Sequence, residues 1–142
     1  MTTRKTRGTT AERSGAVAEQ QTESAAKDMV GLLERAINDR DLEGLVQLFS
    51  ADVVVEYPAH PSLTFRGRDQ IWRNWAPIMA KLDDFRATVV RSAVDDSSVW
   101  VEWLWQGTQV DGSPGDMAGV VIHELEGDQI VHVRFYLEPV DK

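Results

Sequence analysis

Few side chains in this sequence can move a proton near neutral pH: three histidines, His60, His123 and His132, and no cysteine. An unperturbed imidazole titrates near ~6.5, which suits proton transfer at neutral pH. Tyr57 and Tyr136 add hydroxyls that donate or accept a hydrogen bond. The histidines are far apart and share no ligand spacing such as His-Glu-x-x-His. Without cysteine there is neither a thiolate ligand nor a thiol nucleophile. No glycine-rich phosphate loop is present. The residue types point to acid–base chemistry, with no metal and no cofactor expected.

These groups must be held by strands. Residues 99–107 read Val-Trp-Val-Glu-Trp-Leu-Trp-Gln-Gly, with three of the chain's five tryptophans. Strict alternation over β-branched and aromatic residues predicts a strand. Val99, Val101, Trp103 and Trp105 then share one face, and Trp100, Glu102, Leu104 and Gln106 the other. A strand apolar on both faces is covered on both, by core or ligand on one side and by more protein on the other. His123 falls in a second such run, residues 117–125. Tyr57 closes a third, residues 53–57, which ends at Pro58.

Composition bounds the rest. The chain has 142 residues, 42% of them apolar, which predicts one globular domain. No apolar run approaches the ~18 residues of a membrane span. The basic N-terminus has no apolar stretch after it, so it does not read as a secretory signal, and a cytoplasmic location is expected. Net charge is −8, yet residues 1–13 carry +3, leaving −11 for the remainder. An acidic body argues against nucleic acid as a partner. Residues 1–22 hold almost no large apolar side chain, so they read as a disordered basic tail, followed by a single domain over residues 23–142.

From Glu23 a helical period begins, with Met29, Leu32, Leu33, Ala36 and Ile37 at spacings of three and four. Residues 38–41 break it, and Asp41 is placed to cap a short helix over residues 42–49. After the strand at 53–57 and a turn at Arg66-Gly67-Arg68, Asp69 is placed to cap a third helix through Met79, which Pro77 should kink or shorten. Strands follow over residues 85–94, 99–110, 117–125 and 130–137. Helices first and an antiparallel meander afterwards is an α+β order.

This order, with Asp41-Leu42-Glu43-Gly44-Leu45, Leu48-Phe49-Ser50-Ala51-Asp52, Val55-Glu56-Tyr57-Pro58, Phe65-Arg66-Gly67-Arg68-Asp69, Glu126-Gly127-Asp128-Gln129-Ile130 and Arg134-Phe135-Tyr136, resembles the nuclear-transport-factor-2-like, or SnoaL-like, superfamily. The resemblance covers residues 25–140. It implies a cone: a curved mixed β-sheet wrapped around three N-terminal helices. A fold does not name a reaction. Ketosteroid isomerase, which is similar in its Val-Glu-x-Pro strand end, implies a carboxylate base at Tyr57, a tyrosine at Leu33 and an aspartic acid at or near Val121. Limonene-epoxide hydrolase implies an arginine and an aspartate at Trp103 and Trp105, an aspartate at Phe135 and an asparagine at Tyr57. None of these roles is kept, so a charged site has become an aromatic one.

The same alignment implies a pocket face carrying Val101, Trp103, Trp105, Val121, His123, Val133, Phe135 and Leu137. Two readings of the polar residues stand side by side. Tyr57 and His123 are acid and base, or they are a strand-end aromatic and a core histidine. Trp103, Trp105 and Phe135, with Val101, Val121, Leu33 and Leu137, form a substrate wall or simply core; as a wall they favour a flat or polycyclic apolar ligand. His60 and Asp116 are expected near the cone mouth. The leading expectation is a cofactor-free isomerase, cyclase, dehydratase or hydratase acting on a small apolar, polyketide- or terpenoid-like compound. The alternative is a non-catalytic ligand-binding or dimerisation protein. Trp100, Leu104 and Tyr136 predict a homodimer through the outer sheet face.

Overall fold

The computed structural model describes residues 10–109 and 111–141. Two helices open the fold, α1 (Thr10–Asn38) and α2 (Leu42–Gln47). Strands β1 (Phe49–Glu56) and β2 (Phe65–Arg66) follow, then helix α3 (Arg68–Lys81). Strands β3 (Arg86–Asp95), β4 (Ser98–Gln106), β5 (Met117–Glu126) and β6 (Gln129–Pro139) complete it. The six strands form one sheet in the order β2-β1-β6-β5-β4-β3. Every neighbouring pair is antiparallel except β1 with β6, which is parallel. The fold is α+β with a mixed sheet, as the resemblance implies. Helix α1 packs on β3 and β4, and α3 packs on β1 and α2. No helix among the described residues is long and apolar enough to cross a membrane.

Helix α1 buries the stripe Ala26, Met29, Leu33, Ala36 and Ile37, the spacing that places side chains on one helix face. It runs from Thr10 and so includes part of the segment up to Thr22 that the sequence reads as a tail. Residues 11–21 are rich in Ala, Glu and Gln, which prolong a helix already nucleated. The first nine residues of the expected tail lie outside the described residues. The helix ends where Arg40 adopts a left-handed φ of 60° and the Asp41 amide donates back to the Ala36 carbonyl at 2.9 Å, a bond spanning five residues that closes a Schellman-type turn. An arginine holds this glycine-favoured position because its guanidinium donates to the carbonyls of Leu82, Asp83 and Phe85 at 2.9–3.1 Å. That clamp ties the segment after α3 to the end of α1.

Asp41 caps α2 as predicted, accepting from the Gly44 amide at 2.9 Å. Helix α2 stops at Gln47 and β1 starts at Phe49, four residues before the expected strand, because the chain at Leu48–Phe49 already pairs with Ile130 of β6. The N-cap of α3 is Gly67, and Asp69 sits in the first turn instead. Pro77 does not end α3, which continues to Lys81; Pro77 is exposed, where water can take the place of the bond it removes. Strand β4 ends at Gln106, short of the expected Val110.

The alternation along β4 holds. Val99, Val101 and Trp103 are buried on the inner face, and Trp100 is exposed on the outer. On β5, Gly119 faces Trp103 across one ladder and Leu137 across the other. Its φ is +149°, and a Cβ there would lie 2.2 Å from the Tyr136 carbonyl oxygen. Only glycine permits that approach.

The outer rim of β3 is covered by α1. The Asn38 side chain both donates to the Ala87 carbonyl and accepts from the Ala87 amide, each at 2.8 Å. Glu34 accepts from the Val89 amide at 2.8 Å. These side chains satisfy edge groups that a neighbouring strand would otherwise take. From the close approach at Gly119, Gly119→Ala is expected to lower unfolding free energy by about 3 kcal/mol. At Gly127, where φ is +65° and nothing lies within 4 Å, the same change should cost only about 1 kcal/mol. Urea denaturation of the two variants checks the contrast.

Candidate functional site

The inner face of the sheet and all three helices line a half-open cavity of about 170 Å³. Eight residues singled out from the sequence meet there: Tyr57, His123, Trp103, Trp105, Phe135, Val121, Val133 and Leu33. Val101 and Leu137 are not among its lining residues. They share the inner face but are sealed in the core beside it, 0% and 3% exposed. The sequence reading missed the roof: Phe65 of β2 and Ile71, Asn74, Trp75 and Ile78 of α3. Ile71, Trp75 and Ile78 follow a helical period, so the signal was present, but nothing in it said which way that face would turn.

Aromatic rings form much of the wall, and Trp105 is their centre. Its ring lies 5.2 Å from Trp75, 5.7 Å from Phe135, 5.8 Å from Phe85 and 6.3 Å from Trp103, all near edge-to-face. Tyr57 packs on Phe135 at 4.9 Å. Edge-to-face pairs add favourable quadrupole contacts to their burial. These rings come from α3, the segment before β3, β4 and β6, so the cluster closes the cone as well as lining it.

The lining residues include no charged side chain. Its polar groups feel the consequence. His123 is 4% exposed, and burial pushes its pKa down from 6.5 to about 4, against a smaller opposing effect of a backbone hydrogen bond with Val99. Its Nδ1 is buried with no hydrogen-bond partner, as is Nε1 of Trp105. At neutral pH the imidazole is therefore uncharged. Burial also raises the Tyr57 phenol above its ordinary value, so its hydroxyl keeps its proton and remains a donor. A neutral base and a neutral acid thus line one low-dielectric space.

The remaining candidates lie elsewhere. His60 is exposed and pairs with Glu138 at 3.1 Å. Asp116 accepts from the Gly107 amide at 3.4 Å and is not part of the lining. On the outer sheet face Glu56 meets His132 at 2.5 Å and Arg134 at 3.5 Å, Arg134 donates to the Tyr136 hydroxyl at 3.2 Å, and Arg91 pairs with Glu102 at 3.1 Å. Trp100 and Tyr136 are 46% and 37% exposed there. No three His, Asp or Glu side chains among the described residues converge as a metal site would require.

The family model of the SnoaL-like domain matches residues 30–133. The chain belongs to the SnoaL-like family. Solved structures agree on the fold. A protein with a ketosteroid isomerase-like fold from Catenulispora acidiphila, in complex with trimethylamine, is 21% identical with a TM-score of 0.64, covering 75% of this chain and 83% of that one. An epoxide hydrolase of the limonene-epoxide-hydrolase-like type from Mycobacterium tuberculosis is 16% identical with a TM-score of 0.69, covering 81% and 84%. A candidate polyketide cyclase from Sinorhizobium meliloti is 22% identical with a TM-score of 0.61, covering 78% and 94%. No curated protein matches significantly. In this SnoaL-like domain the residues aligned above with the charged machinery of two enzymes, Tyr57, Leu33, Val121, Trp103, Trp105 and Phe135, all surround the one cavity.

The buried histidine makes stability depend on pH. Between about pH 4 and 6.5 the unfolded chain binds a proton that folded His123 refuses. Its contribution is therefore complete above pH 6.5 and is lost as pH falls toward 4. At ~1.36 kcal/mol per pKa unit, the loss approaches roughly 3 kcal/mol. His123→Gln does not titrate. Measured by urea unfolding, the advantage of wild type over this variant should shrink by roughly that amount between pH 7 and pH 4.

Proposed function

We propose that this SnoaL-like domain is a cofactor-free acid–base enzyme that isomerises, cyclises, dehydrates or hydrates a small apolar compound of polyketide or terpenoid character. The observation that supports this reading is the placement of Tyr57 and His123 on one cavity whose walls are otherwise apolar and uncharged. The alternative of a purely structural pair is disfavoured by that shared cavity. Size narrows the ligand class. An apolar cavity of ~150 Å³ accommodates benzene, so about 170 Å³ suits one ring or a short terpenoid, not the polycyclic ligand that the aromatic strand alone favours.

In this reading neutral His123 takes a proton from the substrate. Tyr57 donates a hydrogen bond to the oxygen on which negative charge develops. Such a donor is worth more in a dry, low-dielectric site than in water, because no solvent must reorganise around the new charge. The isomerase, epoxide-hydrolase and cyclase names among the structural neighbours favour the same broad class of chemistry.

Positioned acid–base groups contribute ~10²–10⁴-fold in rate. A screen of apolar one-ring compounds by native mass spectrometry supplies the ligand. On it, Tyr57→Phe and His123→Gln should each reduce turnover by about that factor, with affinity within roughly tenfold of wild type. The acid limb of kcat/KM should fall near pH 4 rather than 6.5, following the His123 value. Full turnover in the double variant overturns the assignment.

We further propose that two copies pair through the outer sheet face. Trp100 and Tyr136 are exposed there on neighbouring rows of the sheet, and half-buried Leu104 lies on the same face, beyond Glu102 from Trp100. Large aromatic side chains grouped on one face favour burial against a second protein surface. Sedimentation should give a dimer for wild type and a monomer for Trp100→Glu; two monomers would end the idea.

A further inference from the structure

We propose that Asn74 is a specificity-determining residue of the cavity, a pre-oriented hydrogen-bond donor selecting a neutral one-ring ligand that carries an acceptor oxygen, such as a ketone, epoxide or ether. The inference rests on the reading that the cavity holds a ligand.

Asn74 stands on α3, exposed at the surface, yet it is one of the lining residues. Beside Tyr57, His123 and the tryptophan ring N–H groups, it is the polar side chain in the lining. Its amide oxygen is engaged by neighbours on the exposed face of the same helix. Arg73 donates to Gln70 Oε1 from Nε at 3.3 Å and from Nη2 at 3.0 Å. Gln70 Nε2 in turn donates to Asn74 Oδ1 at 2.7 Å. The three residues sit at i, i+3 and i+4, the spacings that bring helix side chains together.

The direction of this relay follows from chemistry. A guanidinium has donors only, so the Gln70 atom it meets is the oxygen. The Gln70 NH2 is then left to face Asn74, and the atom it meets must be an acceptor, the Asn74 oxygen. The donor end of Asn74, Nδ2, is thereby presented as a donor and not an acceptor. The guanidinium's charge polarises the chain of bonds in the same sense. In this inference the end of the amide turned away from Gln70 is the one offered at the rim of the apolar cavity, where a donor rewards an acceptor on the ligand. The absence of charged lining residues leaves an anion with no partner inside, so the acceptor belongs to a neutral molecule.

Cyclohexanone and methylenecyclohexane test this, since they share a shape and differ in the acceptor oxygen. Their binding to the full chain can be followed by tryptophan fluorescence, because Trp75, Trp103 and Trp105 all line the cavity. Asn74→Ala should weaken cyclohexanone binding about three- to tenfold and leave methylenecyclohexane within twofold. Gln70→Met, which keeps Asn74 but releases its amide, should lower cyclohexanone affinity by a smaller factor, again without moving the hydrocarbon. A merely structural role for Asn74 would shift both probes alike, and that result overturns the inference, as does a cyclohexanone affinity unchanged by Asn74→Ala. If folded wild type binds neither probe at millimolar concentration, the cavity reading itself fails, and the inference with it.

Discussion

The packing around Trp105 is the constraint on which the rest of this domain depends. Four rings from α3, the segment before β3, β4 and β6 converge on its indole. Interiors pack at crystal-like density, so each ring limits where the others can sit. The sheet cannot flatten without pulling Phe135 from Trp105, and α3 cannot lift without exposing Trp75. The Arg40 clamp on the carbonyls of Leu82, Asp83 and Phe85 holds the same roof from behind. The cavity is the space these rings leave between themselves and the helices, so its size is a property of the packing.

That packing also sets the electrostatics. Where a carboxylate stands in a site, it holds a neighbouring imidazole charged; here the neighbours are indole, phenyl and aliphatic groups. Desolvation then dominates, and both titratable groups in the lining keep their uncharged forms at neutral pH. The absence of charge and the small volume point to the same ligand class from independent directions. As an enzyme, the proposed site would act by excluding water and orienting weak dipoles, not by placing opposite charges.

Much of this was legible in the sequence. The alternation Val99-Trp100-Val101 through Trp105 assigned inner and outer faces correctly, because a period of two is nearly immune to context in a half-buried strand. Asp41 announced its helix because an N-cap is a local device. The early start of α1 was not legible: residues 11–21 carry helix propensity but no apolar period. Nor was the parallel pairing of β1 with β6, which joins segments some eighty residues apart and leaves no local mark. Val101 and Leu137 look identical to cavity residues in any pattern, since the pattern gives a face and not a depth. Asn74 was invisible for a related reason. A single polar residue on a helix has no period, and its meaning comes only from Gln70 and Arg73 beside it.

The contact between Asn38 and β3 bears on how this molecule behaves in a crowded solution. A six-stranded sheet has two borders, and each is a template on which another chain can grow. At one border the carboxamide of Asn38 imitates a strand's own peptide group, and Glu34 occupies the next amide along. At the other, β2 is only two residues long, too short to seed an extended ladder. The sheet is therefore terminated at both ends by elements of its own chain. A domain rich in β-branched and aromatic strands, the composition most prone to fibrous growth, is confined to association through its faces. Truncating α1 at its C-terminal end would do more than loosen a helix: it would hand the β3 border to whatever strand arrived first.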